Sequence, residues 1–211
     1  MERALSSRGN TRLYHTLNPV SALQRELLRK SIHLFIACVP SLAAVNPELT
    51  FLVVGLGTLF YTFSEILRIN GRRVILVTAI TEFASRERDR GKIVLGPVTL
   101  GLGAMAALYF YPEPAAALAI YALAFGDGLS SLFGKLFGSV PMPFFPEKTV
   151  AGSITCFTAV FLVTYGVIGS IPKACVIAAA ATLLELFPLK DLDNIAIPLG
   201  TGFVALLIIP L

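Results

Sequence analysis

The chain has 211 residues, of which 55% are hydrophobic and only 14% are charged, with 17 Lys and Arg against 13 Asp and Glu. Its mean hydropathy is +0.78, whereas a soluble domain of this length carries far more charge. The composition therefore excludes a soluble domain and indicates an integral membrane protein.

The amino-terminal segment is polar and has neither the apolar core nor the small-residue cleavage site of a signal peptide. We therefore expect the first membrane span to target the chain. The sequence divides into a polar cytoplasmic segment, residues 1–28, and a single transmembrane domain, residues 29–211.

Seven apolar runs approach the length of a membrane-spanning helix, and short polar or proline-containing breaks separate most of them. The runs are Ile32–Val45, Leu49–Leu67, Ile93–Tyr111, Pro114–Phe137, Ala151–Gly169, Ala174–Phe187 and Ile195–Leu211. They predict an all-α, polytopic integral membrane fold with about seven transmembrane helices.

The basic residues indicate the orientation, because Lys and Arg are retained on the cytoplasmic side of a membrane. With the amino terminus inside, alternating spans place all the Lys and Arg except Lys173 on or near that side. We expect a cell (plasma) membrane location, with contacts to membrane lipids and no nucleic-acid partner. The inner loop, residues 70–92, has apolar positions suited to a helix lying in the membrane interface.

Ionisable residues from separate segments meet at the cytoplasmic face in this topology. A charge inside a membrane span is costly and points to function. Asp127 lies in the fourth run, and the inner ends and inner loops of the other runs add Glu65, Lys148, Glu185 and Asp193. The sequence therefore predicts a polar site that faces the cytoplasm.

A stripe of polar and small residues follows Asp127. On an α-helix, Ser130, Ser131, Gly134 and Lys135 share its face. The stripe combines a carboxylate suited to Mg²⁺, small residues that permit close approach and an ammonium donor for phosphate oxygens. It predicts a site for a metal and a nucleotide, and tight helix packing is the alternative.

The inner loop before the fifth run is a candidate phosphate site. Thr149 can cap the following helix, whose amides together with Lys148 attract an anion. A solvated loop lysine is the alternative reading of this segment. A Walker A loop is excluded, because Leu129 and Leu136 occupy positions where that motif needs Gly and Ser or Thr.

The two histidines do not add to the catalytic case. His15 lies in the polar leader, and His33 lies in the first run beside Arg29 and Lys30. Interfacial packing or hydrogen bonding is expected for His33, and neither histidine is assigned a role.

Two central motifs, GDGLSSLFGKLFG at residues 126–138 and PEKTVAGS at residues 146–153, resemble the signature of the CTP-dependent lipid kinases. This family comprises dolichol kinase, phytol kinase and the fungal-type diacylglycerol kinase. Supporting matches are Glu65 with Arg68, the glycine-rich residues 96–103, and Glu185 followed by residues 193–198. The similarity runs from about Arg29 to the carboxyl terminus.

The resemblance implies a single transmembrane catalytic domain that uses CTP as phosphoryl donor, Mg²⁺ as cofactor and a lipid alcohol as acceptor. The alcohol is diacylglycerol, polyprenol (dolichol) or phytol, and a homo-oligomer is compatible with this assignment. The expected catalytic residues are Asp127, Glu65, Lys135 and Lys148. The expected nucleotide-binding residues are Ser130, Ser131, Gly134, Lys135, Lys148, Thr149 and Asn194, and the expected metal ligands are Asp127, Glu185 and Asp193.

Several alternatives stay open at the level of sequence. Glu65 can simply pair with Arg68 one turn later, and Asp193 can belong to a solvated turn. The central motifs also resemble phosphatidate cytidylyltransferase, although the last loop, residues 188–195, lacks that enzyme's long basic signature. A small membrane transporter and a noncatalytic assembly protein are the non-enzyme alternatives, but transporter sites usually lie near the bilayer midplane.

Overall fold

Helices form the described part of the chain apart from one short hairpin. The computed structural model describes residues 19–85, 89 and 91–209, so His15 and most of the polar leader lie outside the described residues. The helices are α1 (Pro19–Phe35), α2 (Cys38–Val45), α3 (Pro47–Ile69), α4 (Ile75–Ala84), α5 (Gly96–Phe110), α6 (Ala115–Tyr121), α7 (Gly128–Phe137), α8 (Val150–Ile168), α9 (Ile171–Leu186) and α10 (Asp193–Ile208). A π-helical segment, Ala122–Asp127, joins α6 to α7, and a 3₁₀ turn, Lys190–Leu192, precedes α10.

Five helical segments among the described residues are long and apolar enough to cross a membrane. They are Leu23–Val45, Pro47–Ile69, Ala115–Phe137, Val150–Ile168 and Lys190–Ile208. The third and sixth predicted runs correspond to α5 and α9, which have 15 and 16 residues. At 1.5 Å per residue they reach only about 22–24 Å, less than the typical hydrocarbon core. The all-α polytopic membrane fold is confirmed, whereas the count of seven spans is not.

Local capping explains where several helices begin and end. The side chain of Asn46 accepts a hydrogen bond from the Leu49 amide at 2.9 Å, and Pro47 occupies the first turn of α3. Helix α8 ends before Gly169, whose φ of 65° is the left-handed conformation that glycine tolerates. One residue connects α2 to α3 and two residues connect α8 to α9, so the second helix of each pair runs back alongside the first.

The centre of the bundle is built from small side chains. Residues 115–124 of α6 and the π-helical segment are almost all buried, and most of them are alanine. Small side chains let membrane helices approach closely, so this segment can be surrounded by other helices on every side. The π-helical turn ends at Asp127, and such turns often occur at functional sites.

The short helix α4 occupies the inner loop, where the sequence predicts a helix lying in the membrane interface. It packs against α1 and α3 and leaves Ile75 and Leu76 largely exposed, at 85% and 72%. Exposed apolar side chains beside a membrane protein's inner loops fit burial in the headgroup region.

We expect Gly103→Ala to destabilise the bundle, because α5 and α10 touch at this glycine. A Cβ at Gly103 would lie 1.9 Å from the carbonyl oxygen of Asn194, so the backbone of α10 has to move. The expected loss is about 1–3 kcal/mol in the free energy of unfolding, measured by thermal unfolding in detergent micelles. Gly57→Ala is the control, since no described atom lies within 4 Å of its added Cβ. Equal unfolding temperatures for the two variants would contradict the close contact.

Candidate active site

A polar pocket opens at the end of the bundle where α1, α7, α8, α9 and α10 meet. It encloses about 1090 Å³ including its open mouth. Of the eleven residues predicted for the site, nine line this pocket, and the two that do not are Glu65 and Asn194. The nine are Asp127, Ser130, Ser131, Gly134, Lys135, Lys148, Thr149, Glu185 and Asp193.

A short hairpin carries Lys148 to the pocket wall. Strand β1 (Pro141–Met142) pairs antiparallel with β2 (Phe145–Thr149), and β2 leads directly into α8. The ammonium of Lys148 donates to Glu185 Oε1, and the hydroxyl of Ser130 donates to the same oxygen at 3.2 Å. Three separate segments thus meet at one buried carboxylate.

The amino terminus of α8 forms a second wall of the pocket. Thr149 caps this helix by accepting a hydrogen bond from the Gly152 amide at 3.2 Å, as predicted from the sequence. Ser153 also lines the pocket, and its buried hydroxyl has no hydrogen-bond partner among the described residues. An unpaired hydroxyl and a nearby ammonium at the amino terminus of a helix together favour an anion such as phosphate.

Two glycines allow α7 and α8 to close this side of the pocket. A Cβ at Gly134 would lie 2.9 Å from Thr149 Oγ1, and a Cβ at Gly152 would lie 2.9 Å from the carbonyl oxygen of Ser130. The glycines therefore serve tight helix packing, which is the alternative that the sequence left open. The same close contact between α7 and α8 also shapes the polar pocket.

The partners of Asp127 come from α1, and sequence reasoning missed them. Lys30 Nζ lies 2.7 Å from Asp127 Oδ2 and donates also to the Asp127 carbonyl oxygen at 3.1 Å. His33 Nδ1 lies 3.1 Å from the same Oδ2, yet its geometry gives no hydrogen bond to any described residue. All three side chains are buried. The available signal was the three-residue spacing of Lys30 and His33 on one helical face.

Glu26 is a further pocket residue that the sequence did not reveal. It is 2% exposed and accepts hydrogen bonds from Arg29, Lys135 and Ser131, the last at 2.8 Å. The predicted boundary between residues 28 and 29 falls inside α1, so this helix brings part of the polar segment into the pocket. Glu26 holds Lys135 at the pocket rim, where the side chain of Lys135 stays 56% exposed.

We expect Glu26→Gln to lower turnover strongly while the protein stays folded. Lys135 and Arg29 are partly solvated and stay charged without the carboxylate, so the expected loss of stability is about 1–2 kcal/mol. Lys135 loses its tether, and turnover is expected to fall roughly tenfold, since misplaced charges stabilise a transition state poorly. Thermal unfolding and kcat in the same detergent measure both effects. An unfolded Glu26→Gln protein would show instead that the cluster is structural.

Glu65 belongs to a structural cluster away from the pocket. Its carboxylate accepts two hydrogen bonds from Arg68, both 2.8 Å long, and a third from the Val94 amide at 3.0 Å. Arg68 also donates to the Lys92 carbonyl oxygen at 2.8 Å. These contacts tie the inner end of α3 to the chain that enters α5. The open alternative, pairing with Arg68, is what the structure shows, and Glu65 is not brought to the pocket as a base.

Asn194 likewise has a bridging position between helices. Its side-chain amide donates to the Gly96 carbonyl oxygen at 3.1 Å and to Thr99 Oγ1 at 2.9 Å. The predicted nucleotide contact is therefore not seen for Asn194, which fastens α10 to α5.

The pocket carboxylates fit a metal ion carried by a phosphate ligand. Among the described residues, no group of three or more His, Cys, Asp or Glu side chains is placed to hold a metal ion alone. Asp127, Glu185 and Asp193 nevertheless line one pocket, and Asp193 Oδ1 is buried without a hydrogen-bond partner among those residues. Mg²⁺ usually takes one or two carboxylates together with substrate phosphates. The donor set therefore suits Mg²⁺ bound with a nucleotide.

Comparison with known proteins points to kinases of isoprenoid alcohols. A probable chloroplastic phytol kinase 1 of Glycine max is 27% identical over 92% of this chain and 70% of its own length. Phytol kinase 1 of Arabidopsis thaliana, also chloroplastic, is 26% identical over the same shares of the two chains. The chloroplastic farnesol kinase of Arabidopsis thaliana is 32% identical over 59% of this chain and 46% of its own length.

These relatives bear on both the family and the location. Their names place them in chloroplasts, so they give no support to the plasma-membrane prediction. No protein-family model and no solved structure matches the chain. The similarity to relatives nevertheless extends over nearly the whole length, as the motif resemblance did. The chain is therefore a homologue of phytol kinase and farnesol kinase, which confirms its resemblance to the lipid kinases.

Proposed function

We propose that the chain is a lipid kinase that transfers the terminal phosphoryl group of CTP to a membrane isoprenoid alcohol. The observation that carries this proposal is the polar pocket, which gathers seven predicted residues from the two central motifs together with Glu185 and Asp193. The relatives favour phytol and farnesol as acceptors, since these alcohols appear in their names. Diacylglycerol and polyprenol are further candidates that the same pocket chemistry accommodates.

The proposed reaction needs a bound nucleotide and an alcohol hydroxyl. The alcohol oxygen forms a bond to the γ-phosphorus, the bond from that phosphorus to the bridging oxygen breaks, and CDP leaves. The hydroxyl proton passes to a pocket carboxylate, for which Asp127 is the best placed. Such transfers depend on positioning and on electrostatic stabilisation of the phosphate oxygens.

The pocket residues supply these two requirements. The amino terminus of α8, with Thr149 and Ser153, would bind phosphate oxygens, and Lys148 would neutralise charge that develops during transfer. Lys135, held by Glu26, would contact the phosphates from the rim. The carboxylates of Asp127, Glu185 and Asp193 would hold Mg²⁺, which would supply further neutralisation of the phosphate charge.

The proposed orientation places the pocket on the cytoplasmic side. The amino terminus and the loops around the pocket carry nearly all of the Lys and Arg, which are retained inside. A soluble nucleotide can then reach the pocket mouth while the alcohol stays in the membrane.

A lipid panel with γ-labelled nucleotide tests the proposal. Purified protein in liposomes receives Mg²⁺, labelled CTP and one lipid at a time: farnesol, phytol, a polyprenol, diacylglycerol or phosphatidate. We expect labelled prenyl monophosphate together with CDP. Formation of CDP-lipid and pyrophosphate from phosphatidate would establish the cytidylyltransferase instead, and label transfer to none of the alcohols would overturn the kinase. Parallel reactions with ATP, GTP and UTP test the preference for CTP.

A further inference from the structure

A second cavity joins the polar pocket behind Asp127. This acceptor cavity encloses about 780 Å³ including its mouth and lies between α1, α3, α4 and α5. Lys30, Asp127 and Asp193 line both spaces, so the two meet at these side chains. We propose that the acceptor cavity binds the hydroxyl end of the prenyl alcohol. This inference rests on the proposed function and adds to it the location of the second substrate.

The walls of the acceptor cavity match an alcohol with a hydrocarbon tail. Ile32, Ile80, Ala84 and Leu100 provide an apolar part of the wall, and polar and charged side chains, among them Asp127, line the rest. Ligand sites commonly combine such an apolar lining with a few polar groups that fix orientation. A prenyl chain gains from the apolar walls by leaving water or lipid headgroups, and its hydroxyl needs the polar end.

The buried imidazole of His33 supplies an independent reason to expect a ligand at that end. His33 is 7% exposed, and its Nδ1 lies 3.1 Å from Asp127 Oδ2 in a contact that is poorly aligned for a hydrogen bond. Buried polar groups in proteins are nearly always well paired, so a poorly aligned pair can be completed by a ligand that hydrogen-bonds to both members. The hydroxyl of an alcohol can accept a hydrogen bond from the imidazole and donate one to the carboxylate. His33 is then a positioning residue that holds the hydroxyl beside Asp127 Oδ2, which lies 3.1 Å from Nδ1.

The two spaces separate the two substrates. Lys135, Lys148 and Ser130 line only the polar pocket, whereas Tyr61, Thr81 and Leu100 line only the acceptor cavity. A phosphate in the first space and a hydroxyl in the second would approach the same carboxylate from different sides. This arrangement holds the reacting groups together and fills the acceptor side with lipid in place of water.

The short helix α4 connects the acceptor cavity with the membrane. Its Ile80, Thr81 and Ala84 face the cavity, while Ile75 and Leu76 on the same helix are largely exposed. The proposal therefore places the entry of the alcohol from the inner leaflet beside α4.

A bulky substitution on α4 tests the location. Ala84→Phe places a ring in the acceptor cavity, and Ala79→Phe places the same ring on the exposed part of the same helix. We expect Ala84→Phe to raise KM for farnesol or phytol at least about tenfold, equivalent to 1.4 kcal/mol of lost binding. The Kd for CTP with Mg²⁺ is expected to stay within about twofold in both variants. An unchanged alcohol KM in Ala84→Phe, or a loss confined to CTP binding, would overturn the proposal.

A photoreactive alcohol tests the cavity independently of turnover. Farnesol carrying a diazirine is expected to label residues 29–33 and 80–84, and Ala84→Phe is expected to reduce this labelling while Ala79→Phe is not. Labelling of these segments in a protein that phosphorylates none of the alcohols would support the cavity and reject the kinase. Labelling only at other helices would reject the cavity even in an active enzyme.

Paired substitutions test the positioning role of His33. His33→Phe removes the hydrogen-bonding atom and is expected to lower kcat/KM for the alcohol at least about tenfold, with CTP binding retained. His33→Asn places a side-chain polar atom near the position of Nδ1 and is expected to recover part of the loss. Equal losses in the two variants would show that His33 acts only by packing.

Discussion

Replacing Asp127 by Asn is expected to abolish phosphoryl transfer and to destabilise the bundle at the same time. Lys30 is 4% exposed and its ammonium lies 2.7 Å from Asp127 Oδ2, so the neutral amide leaves a buried charge without its partner. Removing one member of a buried ion pair costs about 3–5 kcal/mol. A loss of activity in the single variant therefore does not separate chemistry from folding.

The double variant Lys30→Met/Asp127→Leu separates the two effects. It removes both buried charges and fills the space with apolar side chains, a change that is often neutral or stabilising. We expect the unfolding temperature in detergent to return to that of the unchanged protein or above it. The rate of phosphoryl transfer is expected to stay at least about a hundredfold below that of the unchanged protein, since the preorganised carboxylate of Asp127 is missing. Recovery of turnover in the double variant would show that Asp127 serves only to pair with Lys30.

The convergence of the motif residues was predictable, and the partners of Asp127 were not. Alternating spans bring α7, the loop before α8 and the inner end of α9 to one face, so Asp127, Lys148 and Glu185 are expected to meet. Lys30 is 97 residues away from Asp127 in sequence. Its contact depends on how α1 is rotated against the bundle, and apolar residues on several sides of a membrane helix leave that rotation undefined.

The different positions of Glu65 and Asp127 have a physical cause. A charge in a membrane span was taken as a sign of function for Glu65 and Asp127 alike. Both carboxylates are buried, but Glu65 has Arg68 three residues away and an amide from the loop after α4 as partners. The local Arg68 was visible in the sequence, whereas the contact with the Val94 amide depends on the path of a loop. Local pairing within one helix is thus the better first explanation for such a carboxylate.

Hydropathy predicts the order of the helices better than their ends. The predicted polar stripe lies on a regular α-helix, because the π-helical segment Ala122–Asp127 ends where α7 begins. Helix α5 has 15 residues and is shorter than its apolar run, Ile93–Tyr111, whereas α9 has 16 residues and extends beyond the start of its run, Ala174–Phe187. Helix length depends on capping and on the path of the inner loops, which hydropathy does not report.

Replacing Lys148 by Met is expected to slow phosphoryl transfer about 10²–10³-fold with little change in the Kd for CTP. The ammonium stands at the start of α8 and faces the pocket, where charge on the transferred phosphoryl group develops during the reaction. A donor that is more important in the transition state than in the bound complex affects kcat more than binding. Glu185 keeps its hydrogen bond from Ser130 but loses its charged partner while buried, so thermal unfolding in detergent has to be measured beside kcat.

Two matched variants make the Lys148 result specific. Lys148→Arg keeps the positive charge and is expected to recover part of kcat, although the planar guanidinium cannot take the same position as an ammonium. Lys173→Met makes the same Lys to Met change at the start of α9, at the opposite end of that helix from Glu185, and is expected to leave kcat unchanged. A Lys148→Met protein with full kcat and weaker CTP binding would restrict Lys148 to holding the nucleotide. A catalytic ammonium acts over a few ångströms, and of these two lysines Lys148 alone lines the pocket. Equal losses of kcat in Lys148→Met and Lys173→Met would therefore contradict a local catalytic role and show that total positive charge matters.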